Sequence, residues 1–410
     1  MNERKAVCTQ AAFSYGGAMN DFTYYTPTKV VFGRRAQDKL GSLLREQQCR
    51  KVLLHYGGGS AERSGLLGRV RETLAAEGIA WVELGGVVPN PRLSLVYEGI
   101  ELSRREGVDF ILAVGGGSVI DSAKAIGYGL GSGGDVWELF ERKRKVTGCT
   151  PIGTVLTIAA TGSEMSPSCV ITAEGGWKKL GCTSDLCRPR FAVLDPQLTM
   201  TLPDYQTACG CVDILMHTME RWFYADGGMD LTDGLAETLL RTVMKHALIL
   251  RDDPQNWDSR AEILWAGALS HNGLTGCGTD GGDWAPHKIE HELSGLFDVA
   301  HGAGLSAIWG SWARYAARQK PARFARFAER VMRVTEAGTD EEMALKGIEA
   351  FEDFCRAIHL PTSIGELGLH PTEDEIRLMA EKCIAGLGGP AGKVVKLSAD
   401  DITEIFRMAL

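Results

Sequence analysis

The chain has 410 residues, which is long enough for two domains that each bury a core of their own. It carries 52 acidic against 44 basic residues, and its longest basic run is ERKRK at 141–145, so the charge pattern argues against a nucleic-acid partner. No apolar stretch approaches the length needed to cross a bilayer, and the first twenty residues lack the apolar middle of a secretory signal. We therefore expect a cytoplasmic enzyme with no membrane partner.

The eleven cysteines are scattered along the chain, and none of them forms a CxxC pair. The close pairs Cys182 with Cys187 and Cys209 with Cys211 have no second half that would complete a zinc knuckle. Scattered cysteines in a chain of this size are usually reduced and buried, so we expect neither a structural disulfide nor a cysteine metal site.

The N-terminal part of the chain predicts a tail and then an α/β pattern. Residues 1–19 show no hydrophobic periodicity and are predicted to be a flexible tail. The segment FTYYTPTKVVFG at 22–33 alternates as a strand does, and Pro27 restricts it to the edge of a sheet or to a bend. AQDKLGSLLREQQ at 36–48 reads as a helix.

Strand and helix patterns then alternate three times. The predicted strands are KVLLHY at 51–56, IAWVEL at 79–84 and VDFILAV at 108–114, and the helices that follow them are at 65–78, 93–107 and 119–130. Parallel neighbours need such crossover helices, so this order predicts a parallel, doubly wound sheet. VDFILAV is almost entirely apolar, as expected of a strand covered on both faces.

The pattern changes after IGTVLTI at 152–158. ATGSEMSPSCVIT at 160–172 and the segment around WKKLGCT predict a loop with short strands, and FAVLDP at 191–196 is one more buried strand. From Pro203 onward the apolar residues recur with helical spacing. We therefore predict an α/β domain at 20–197 and an all-helical domain at 198–410.

The most informative stretch is Asp283–Gly304, because it holds three of the nine histidines. His287 and His291 are four residues apart, so they lie on one face of a helix, and His301 follows. Upstream, Asp213 and His217 are separated by the same helical turn. One carboxylate and three imidazoles suit a borderline divalent cation such as Fe(II) or Zn(II), whereas Ca and Mg prefer shells of oxygen.

Glycine-rich turns follow two of the predicted strands. The first is Gly57, Gly58, Gly59 and Ser60, and the second is Gly115, Gly116, Gly117 and Ser118. Such a turn, between a buried strand and a helix, lets backbone amides approach phosphate oxygens, but it is also compatible with a tight turn alone. The second turn matches neither GxGxxG nor a P-loop, and Asp121 in its first helical turn is placed to orient a substrate or a nicotinamide.

Together these motifs resemble the iron-containing alcohol dehydrogenases, most closely the butanol dehydrogenase-like branch of NADPH-using aldehyde reductases. The resemblance is carried by FTYYTPTKVVFG, GGGSVIDSAK at 115–124, TGSEM at 161–165, FAVLDP followed by TLP, DILMHTMER at 213–221 and DWAPHKIEHELSGLFDVAHGAGL at 283–305. It implies the dehydroquinate synthase-like fold of this family, with a metal and a nicotinamide in the cleft between the two domains, a small alcohol or aldehyde as substrate, and a homodimer.

The resemblance also implies roles for individual residues. The implied metal ligands are Asp213, His217, His287 and His301. The implied non-ligating histidine near the nicotinamide is His291, and it is our candidate catalytic residue for proton relay. The implied cofactor-binding residues are Gly115, Gly116, Gly117, Ser118, Asp121, Thr157, Thr161 and Lys179.

The chain departs from the family pattern at a few positions. Pro286 stands where relatives usually have threonine before the first metal histidine of the last motif, which predicts a shifted helix start. CGTDGGDW at 277–284 and TIAATGSEM at 157–165 also differ from the usual wording. We expect these changes to affect the fit of the substrate more than the binding of the metal.

The first glycine turn bears on the choice of nicotinamide. Relatives that favour NAD tend to carry an acidic residue at the end of this strand, whereas this chain has Gly58, Gly59 and Ser60, with donors and no carboxylate. We therefore predict that NADP(H) is preferred over NAD(H). The competing interpretations are a zinc-dependent glycerol-type polyol dehydrogenase or a metal-free maleylacetate-type reductase on the same fold, and a cofactor-binding protein without catalysis.

Overall fold

The computed structural model describes residues 19–224 and 229–410. Its strands are β1 (Lys29–Phe32), β2 (Lys51–Gly57), β3 (Ala80–Val87), β4 (Phe110–Gly115), β5 (Ile152–Leu156), β6 (Ser168–Ala173), β7 (Lys178–Thr183) and β8 (Phe191–Leu194). The helices among them are α1 (Leu40–Gln47), α2 (Ser60–Arg63), α3 (Leu66–Ala76), α4 (Leu93–Glu106), α5 (Gly117–Ser132) and α6 (Trp137–Phe140). The helices after them are α7 (Asp204–Tyr224), α8 (Asp230–Asp252), α9 (Trp257–Ser270), α10 (Ala285–Phe297), α11 (His301–Ala317), α12 (Pro321–Arg330), α13 (Asp340–Ala357), α14 (Glu373–Leu387) and α15 (Ala399–Met408). The predicted order, an α/β half followed by a helical half, is confirmed.

Six strands form one parallel sheet in the order β1-β8-β5-β4-β2-β3. Along β4, Ile111 and Ala113 enter one hydrophobic core, and Leu112 and Val114 enter the other. This alternation follows from the two-residue period of a strand and shows that both faces of the sheet are covered. β4 is apolar throughout because its side chains are buried on both faces of the sheet.

The order of the strands places a switch point between β2 and β4. The chain runs from β2 outward to β3, then crosses to β4 on the other side of β2. In open parallel sheets, ligands bind at the carboxyl ends of the strands beside such a point. Here β2 ends at Gly57 and β4 ends at Gly115, so both predicted glycine turns flank it.

The two remaining strands, β6 and β7, form a separate antiparallel hairpin that α5 fixes in place. The Lys124 ammonium is fully buried and donates to the backbone oxygens of Ser163, Ser166 and Ser168 at 2.7, 2.9 and 2.8 Å. Asp121 accepts from the Ser163 hydroxyl at 2.6 Å and from the Val170 amide at 2.9 Å. The second glycine turn, the loop after β5 and the hairpin are therefore one connected unit.

The helical half is held by large aromatic side chains and by close helix contacts. Buried rings pack against one another on α7, α11, α12 and α13, and they are Trp222, Phe223, Trp309, Trp312, Phe324, Phe327 and Phe351. At the start of α11, a Cβ on Gly302 would overlap the backbone carbonyl of Cys209 on α7. Only glycine permits this approach, which fixes the start of α11 one turn from Asp213.

Some details differ from the sequence-based expectations. Residues 22–27 are not a strand, and β1 is confined to Lys29–Phe32 at the edge of the sheet. Pro27 explains this difference, because it has no N–H to give to a ladder. Helix α5 begins at Gly117, two residues before the predicted start. The ten cysteines of the described residues are all free thiols, as expected.

The predicted tail at 1–19 lies, apart from Met19, outside the described residues. The first described backbone bond after Met19 joins the Asn20 amide to the Gly278 carbonyl at 3.1 Å, so the chain meets the helical half there. Within residues 19–224 and 229–410, every helix is too short or too polar to span a membrane.

Candidate metal centre and cofactor cleft

Three helices bring the predicted metal ligands together. Asp213 and His217 lie one turn apart on the buried face of α7, His287 lies in the first turn of α10, and His301 is the first residue of α11. Asp213, His217 and His287 offer ligand atoms that all lie within 4.8 Å of one another, and His301 forms a second such group with Glu290 and His291. Asp213 Oδ1 connects the two groups, because it lies 3.8 Å from His301 Nε2.

The distances in this cluster match those of a bound cation. Asp213 Oδ1 lies 3.3 Å from His217 Nδ1, 3.5 Å from His287 Nε2 and 3.8 Å from His301 Nε2. Two ligands that are each about 2.1 Å from a tetrahedral centre lie roughly 3.4 Å apart. The spacing leaves room for one ion between the carboxylate and the three rings.

Hydrogen bonding supports the same conclusion. Asp213 Oδ1, His217 Nδ1 and His287 Nε2 are buried and have no hydrogen-bond partner among the described residues. Buried polar atoms are rarely left unsatisfied, because the loss of their hydration costs about 1–3 kcal/mol each. Three such atoms that point at one another fit a site built for a cation.

Two buried carboxylates orient the histidines from behind. Glu220, on α7, accepts the backbone N–H of His287 at 3.0 Å and also contacts Nδ1 of the same ring. Glu290, on α10, contacts Nδ1 of His301 and accepts the Ser294 hydroxyl. Each contact turns Nε2 of its histidine toward Asp213, an arrangement typical of metal-binding histidines.

Burial and neighbouring charges set the protonation of the cluster. Burial would raise the pKa of Asp213, but the imidazoles of His217, His287 and His301 outweigh it and hold this pKa below its usual range. Burial lowers the pKa of His217, which keeps this ring neutral. Burial would also lower the pKa of His287, but Glu220 and Asp213 outweigh it and raise this pKa to about 9.

His291 stands beside the cluster and outside its inner group. Its ring centre is 6.4 Å from that of His287 and 5.6 Å from that of His301. Its Nδ1 is buried without a hydrogen-bond partner, and the side chain lines the cavity described below. Burial lowers the pKa of His291, and the nearby Lys179 and Lys288 act in the same direction, so the ring is neutral.

Pro286 does not disturb the start of α10. The helix begins at Ala285, and Pro286 is in its first turn, where a backbone N–H has no partner within the helix. The neighbouring amides of Ala285 and His287 donate to Asp283 and Glu220 at 3.2 and 3.0 Å. Pro286 therefore fits the first turn of α10, and a shifted start relative to the family stays a prediction.

A cavity of about 770 Å³ lies between the sheet half and the helical half. The predicted site residues that line it are Ser118, Asp121, Thr161, Lys179, His217, His287, His291 and His301. Those that do not line it are Gly58, Gly59, Ser60, Gly115, Gly116, Gly117, Thr157 and Asp213. The cavity thus joins the helix that follows the second glycine turn to the histidine cluster.

The second glycine turn is tightly packed against the loop that follows β5. The Thr157 amide donates to the Gly115 carbonyl at 3.1 Å. A Cβ on Gly116 would overlap Ile158, and one on Gly117 would overlap Thr161. These glycines therefore have a packing role in addition to the phosphate-binding role that the sequence suggests.

The first glycine turn is open to solvent. Gly58, Gly59 and Ser60 are exposed, and Ser60 begins α2. A Cβ on Gly59 would overlap the Arg63 guanidinium, which shows that this cation lies directly beside the turn. Glu62, the nearest carboxylate in the sequence, is paired with Arg71 at 2.8 Å.

His271 is a cavity residue that the sequence analysis missed. It follows α9, its ring lies 4.2 Å from that of His217, and its Nδ1 is 2.9 Å from the Thr161 carbonyl oxygen. It thereby links the predicted cation site to the loop that packs on the second glycine turn. No spacing relation in the sequence connects it to the other histidines.

Comparison with known proteins agrees with this geometry. The family model for iron-containing alcohol dehydrogenase matches residues 27–196, and the model for the C-terminal part of the same family matches residues 207–410. A probable NADH-dependent butanol dehydrogenase of Bacillus subtilis is 40% identical over 393 residues, which cover 96% of this chain and all of that protein. The NADPH-dependent aldehyde reductase of Escherichia coli is 35% identical and covers 86% of this chain and 90% of its own length.

A solved structure extends the likeness to the fold. The crystal structure of NADH-dependent butanol dehydrogenase A from Thermotoga maritima is 38% identical, covers 96% of this chain and 99% of its own, and superimposes with a TM-score of 0.91. These matches define the class of the protein, an oxidoreductase that acts on a CH–OH group. The chain belongs to the iron-containing alcohol dehydrogenase family, and the predicted resemblance to its butanol dehydrogenase branch is confirmed.

Proposed function

We propose that this protein is a divalent-cation-dependent, nicotinamide-linked reductase of short-chain aldehydes that also oxidises the corresponding alcohols. One observation carries the proposal: Asp213, His217, His287 and His301 converge on one point at the wall of the cavity that Ser118 also lines. We assign residues 20–197 to the dinucleotide-binding domain and 198–410 to the metal-binding domain. The end of β8 at Leu194 and the start of α7 at Asp204 support that boundary.

The four predicted ligands suit iron(II) best in this family, with zinc(II) as the alternative metal. Imidazoles bind a metal as neutral rings and release a proton when they do so, so three of them and one carboxylate would leave a divalent ion with net positive charge. When bound, the cation would supply Lewis-acid polarisation of the carbonyl, and the reduced nicotinamide would supply the hydride. Glu220 and Glu290 hold His287 and His301 in the orientation this requires.

His291 is our candidate for handling the proton. Its ring is neutral, buried and without a partner at Nδ1, and it borders the cavity one helical turn from His287. A positioned imidazole of this kind can pass a proton to the oxygen of an aldehyde as it becomes an alcohol. Burial around it also excludes water that would compete for that proton.

The experiment that tests the function uses protein purified and assayed without oxygen. We expect about one iron or zinc per chain by elemental analysis, and oxidation of reduced nicotinamide with butyraldehyde. A chelator should abolish turnover, and the added metal should restore it. Metal-free protein with full activity would contradict the proposal, and bound nicotinamide without turnover would identify a cofactor binder instead.

We also propose that NADP(H) is preferred over NAD(H). The support is local: Gly58, Gly59 and Ser60 leave an open turn, and the Arg63 guanidinium lies beside it. Glu62 is paired with Arg71, which also pairs with Glu83. A 2′-phosphate would meet donors there and no free carboxylate. The relatives named above include both NADH-dependent and NADPH-dependent enzymes. The proposed preference for NADP(H) therefore rests on the first glycine turn and not on membership of the family.

The preference is measured as kcat/KM for NADPH and NADH with one aldehyde. We expect NADPH to be favoured by about tenfold or more, the size of one charge-assisted hydrogen bond. Arg63→Met should reduce the preference, and Arg69→Met on the neighbouring α3 serves as the control. A strong NADH preference in the unmodified protein would overturn this assignment.

A homodimer is the assembly that we propose. β1 is an edge strand that carries Phe32, and the segment leading into it carries Phe22, Tyr24 and Tyr25. The side chains of Phe22, Tyr24, Tyr25 and Phe32 are 51, 42, 53 and 40% exposed. An unprotected edge strand with an apolar surface is a common site of pairing between chains. Light scattering should give twice the chain mass of 44.4 kDa, and a monomer would exclude this assembly.

A further inference from the structure

A small basic pocket adjoins the main cavity beside His291. It has a volume of about 40 Å³, and we call it the basic side pocket. Its cationic side chains are Arg142, Lys179 and Lys288, and all three also line the main cavity. The resemblance assigns Lys179 to the cofactor site, but the mechanism above gives no role to Lys288 or Arg142.

Lys179 provides the strongest indication that this pocket binds an anion. Its side chain is only 6% exposed, and its Nζ has no hydrogen-bond partner among the described residues. The nearest carboxylate oxygen, on Glu290, is 3.7 Å away and is already in contact with His301. A buried ammonium with unused donors costs free energy until an acceptor reaches it.

Lys288 and Arg142 add to the same charge. Lys288 lies between His287 and His291 on α10, and Arg142 lies in the loop after α6. Both line the same pocket as Lys179, so three cationic side chains face one small volume and an incoming anion would reduce their mutual repulsion.

The one carboxylate that lines the basic side pocket already has a cationic partner. Glu292 lines the basic side pocket together with the cations. Its carboxylate oxygen lies 3.5 Å from the ammonium of Lys382, which approaches from α14. The pocket therefore keeps an excess of positive charge.

The phosphates of the dinucleotide do not explain this pocket. The turn proposed to bind them is Gly115–Ser118, and none of its residues lines the basic side pocket. The pocket instead shares Lys288 and His291 with the main cavity, and both residues lie within about one helical turn of the predicted ligand His287 on α10. The positive charge of the pocket thus borders the cavity on the side of α10 that carries this ligand.

We propose that the basic side pocket binds a carboxylate at the far end of the substrate, so that the preferred substrates are short aldehydes with a terminal carboxylate. This inference rests on the function proposed above. The volume of about 40 Å³ exceeds the roughly 10–15 Å³ that one water molecule needs, so the pocket has room for a small anionic group such as a carboxylate. Lys288 is the residue that determines the specificity.

The reaction itself is unchanged by the carboxylate. The C4 hydride of the reduced nicotinamide forms a C–H bond to the carbonyl carbon, and the carbonyl oxygen takes up one proton. The aldehyde is reduced by two electrons to an alcohol while the nicotinamide is oxidised, and the carboxylate leaves with the product as a hydroxy acid.

The test compares two aldehydes of equal carbon number in the metal-loaded enzyme. We expect kcat/KM for 4-oxobutanoate to exceed that for butyraldehyde by about tenfold or more, mainly through a lower KM. Without turnover, 4-hydroxybutanoate should raise the Tm of the enzyme with oxidised nicotinamide more than 1-butanol does. A ratio near one, together with equal Tm shifts, would overturn the inference.

Variants of Lys288 test whether this residue causes the preference for 4-oxobutanoate. Lys288→Met should lower the ratio of the two kcat/KM values by about tenfold, whereas Lys288→Arg should keep most of it. Lys143→Met is the matched control, because Lys143 is exposed, pairs with Glu141 and lies outside both pockets. An unchanged ratio in Lys288→Met would remove this residue from the proposal. Reduction of neither aldehyde would refute the proposed function itself, and this inference with it.

Discussion

Asp213→Ala is expected to reduce both metal occupancy and aldehyde reduction to near background. Asp213 supplies the only carboxylate among the four predicted ligands, and its Oδ1 lies between the three imidazoles. Without it, three nitrogen ligands would remain to hold a dication in a buried site. The loss of several kcal/mol of charge stabilisation corresponds to a fall in kcat/KM of about 10³-fold or more. Elemental analysis and turnover, measured on the same anaerobic sample, check the result.

His287→Ala should give the same pattern, because this residue supplies a second inward-facing nitrogen, His287 Nε2. Asp204→Ala is the matched control for Asp213→Ala, since Asp204 is an exposed aspartate at the start of α7, the helix that also carries Asp213. Full occupancy in either alanine variant would exclude that residue as a ligand. A loss of metal in the control would point to damage of α7 instead.

His291→Ala is expected to lower turnover without lowering metal content. The ring lies outside the inner cluster, so metal content should stay near that of the unmodified protein. Loss of a positioned proton donor should lower kcat by about 10²-fold or more. The decrease should become smaller when a small external acid such as imidazole is supplied, because a proton relay can be replaced in this way.

Two outcomes would count against His291. Unchanged turnover would remove it from the mechanism, and loss of metal would make it a ligand. His370→Ala serves as the control, because His370 is exposed and far from the cavity lining. Circular dichroism and Tm on each variant show whether the fold is retained.

The spacing of the histidines and of Asp213 selected the candidates for the cluster, whereas the choice of His301 and not His291 as the fourth ligand came from the family resemblance. A separation of four residues places Asp213 with His217, and His287 with His291, on common helix faces. The glycines after His301 allow α11 to approach α7, and the structure shows that contact at Gly302. The parallel sheet was predictable for a similar reason, because strands such as β4 are buried on both faces.

The supporting carboxylates were not predicted, although they lie within the same motifs. Glu220 follows His217 by three residues, and Glu290 stands between His287 and His291. Their partners are on other helices, so no spacing within one helix reveals the contacts. A search for acidic residues on the faces next to the histidines would have selected both of them.

Other features depend on packing that a linear pattern does not contain. His271 reaches the cluster from the end of α9, and Lys124 is buried among serine oxygens from a loop about 40 residues away. The prediction of a long first strand was wrong at residues 22–27. The reason is that Pro27 has no N–H to give to a hydrogen-bonded ladder.

The predicted ligands and the carboxylates behind them all come from α7, α10 and α11, and none comes from the sheet. An ion at this point would fasten three helices to one another, much as a cross-link does. The Tm of the protein should therefore rise with the concentration of free cation. The free energy of unfolding should increase by about 4.1 kcal/mol when that concentration is 1,000 times Kd. Protein starved of metal would then be short-lived as well as inactive, and the supply of the ion would control its abundance.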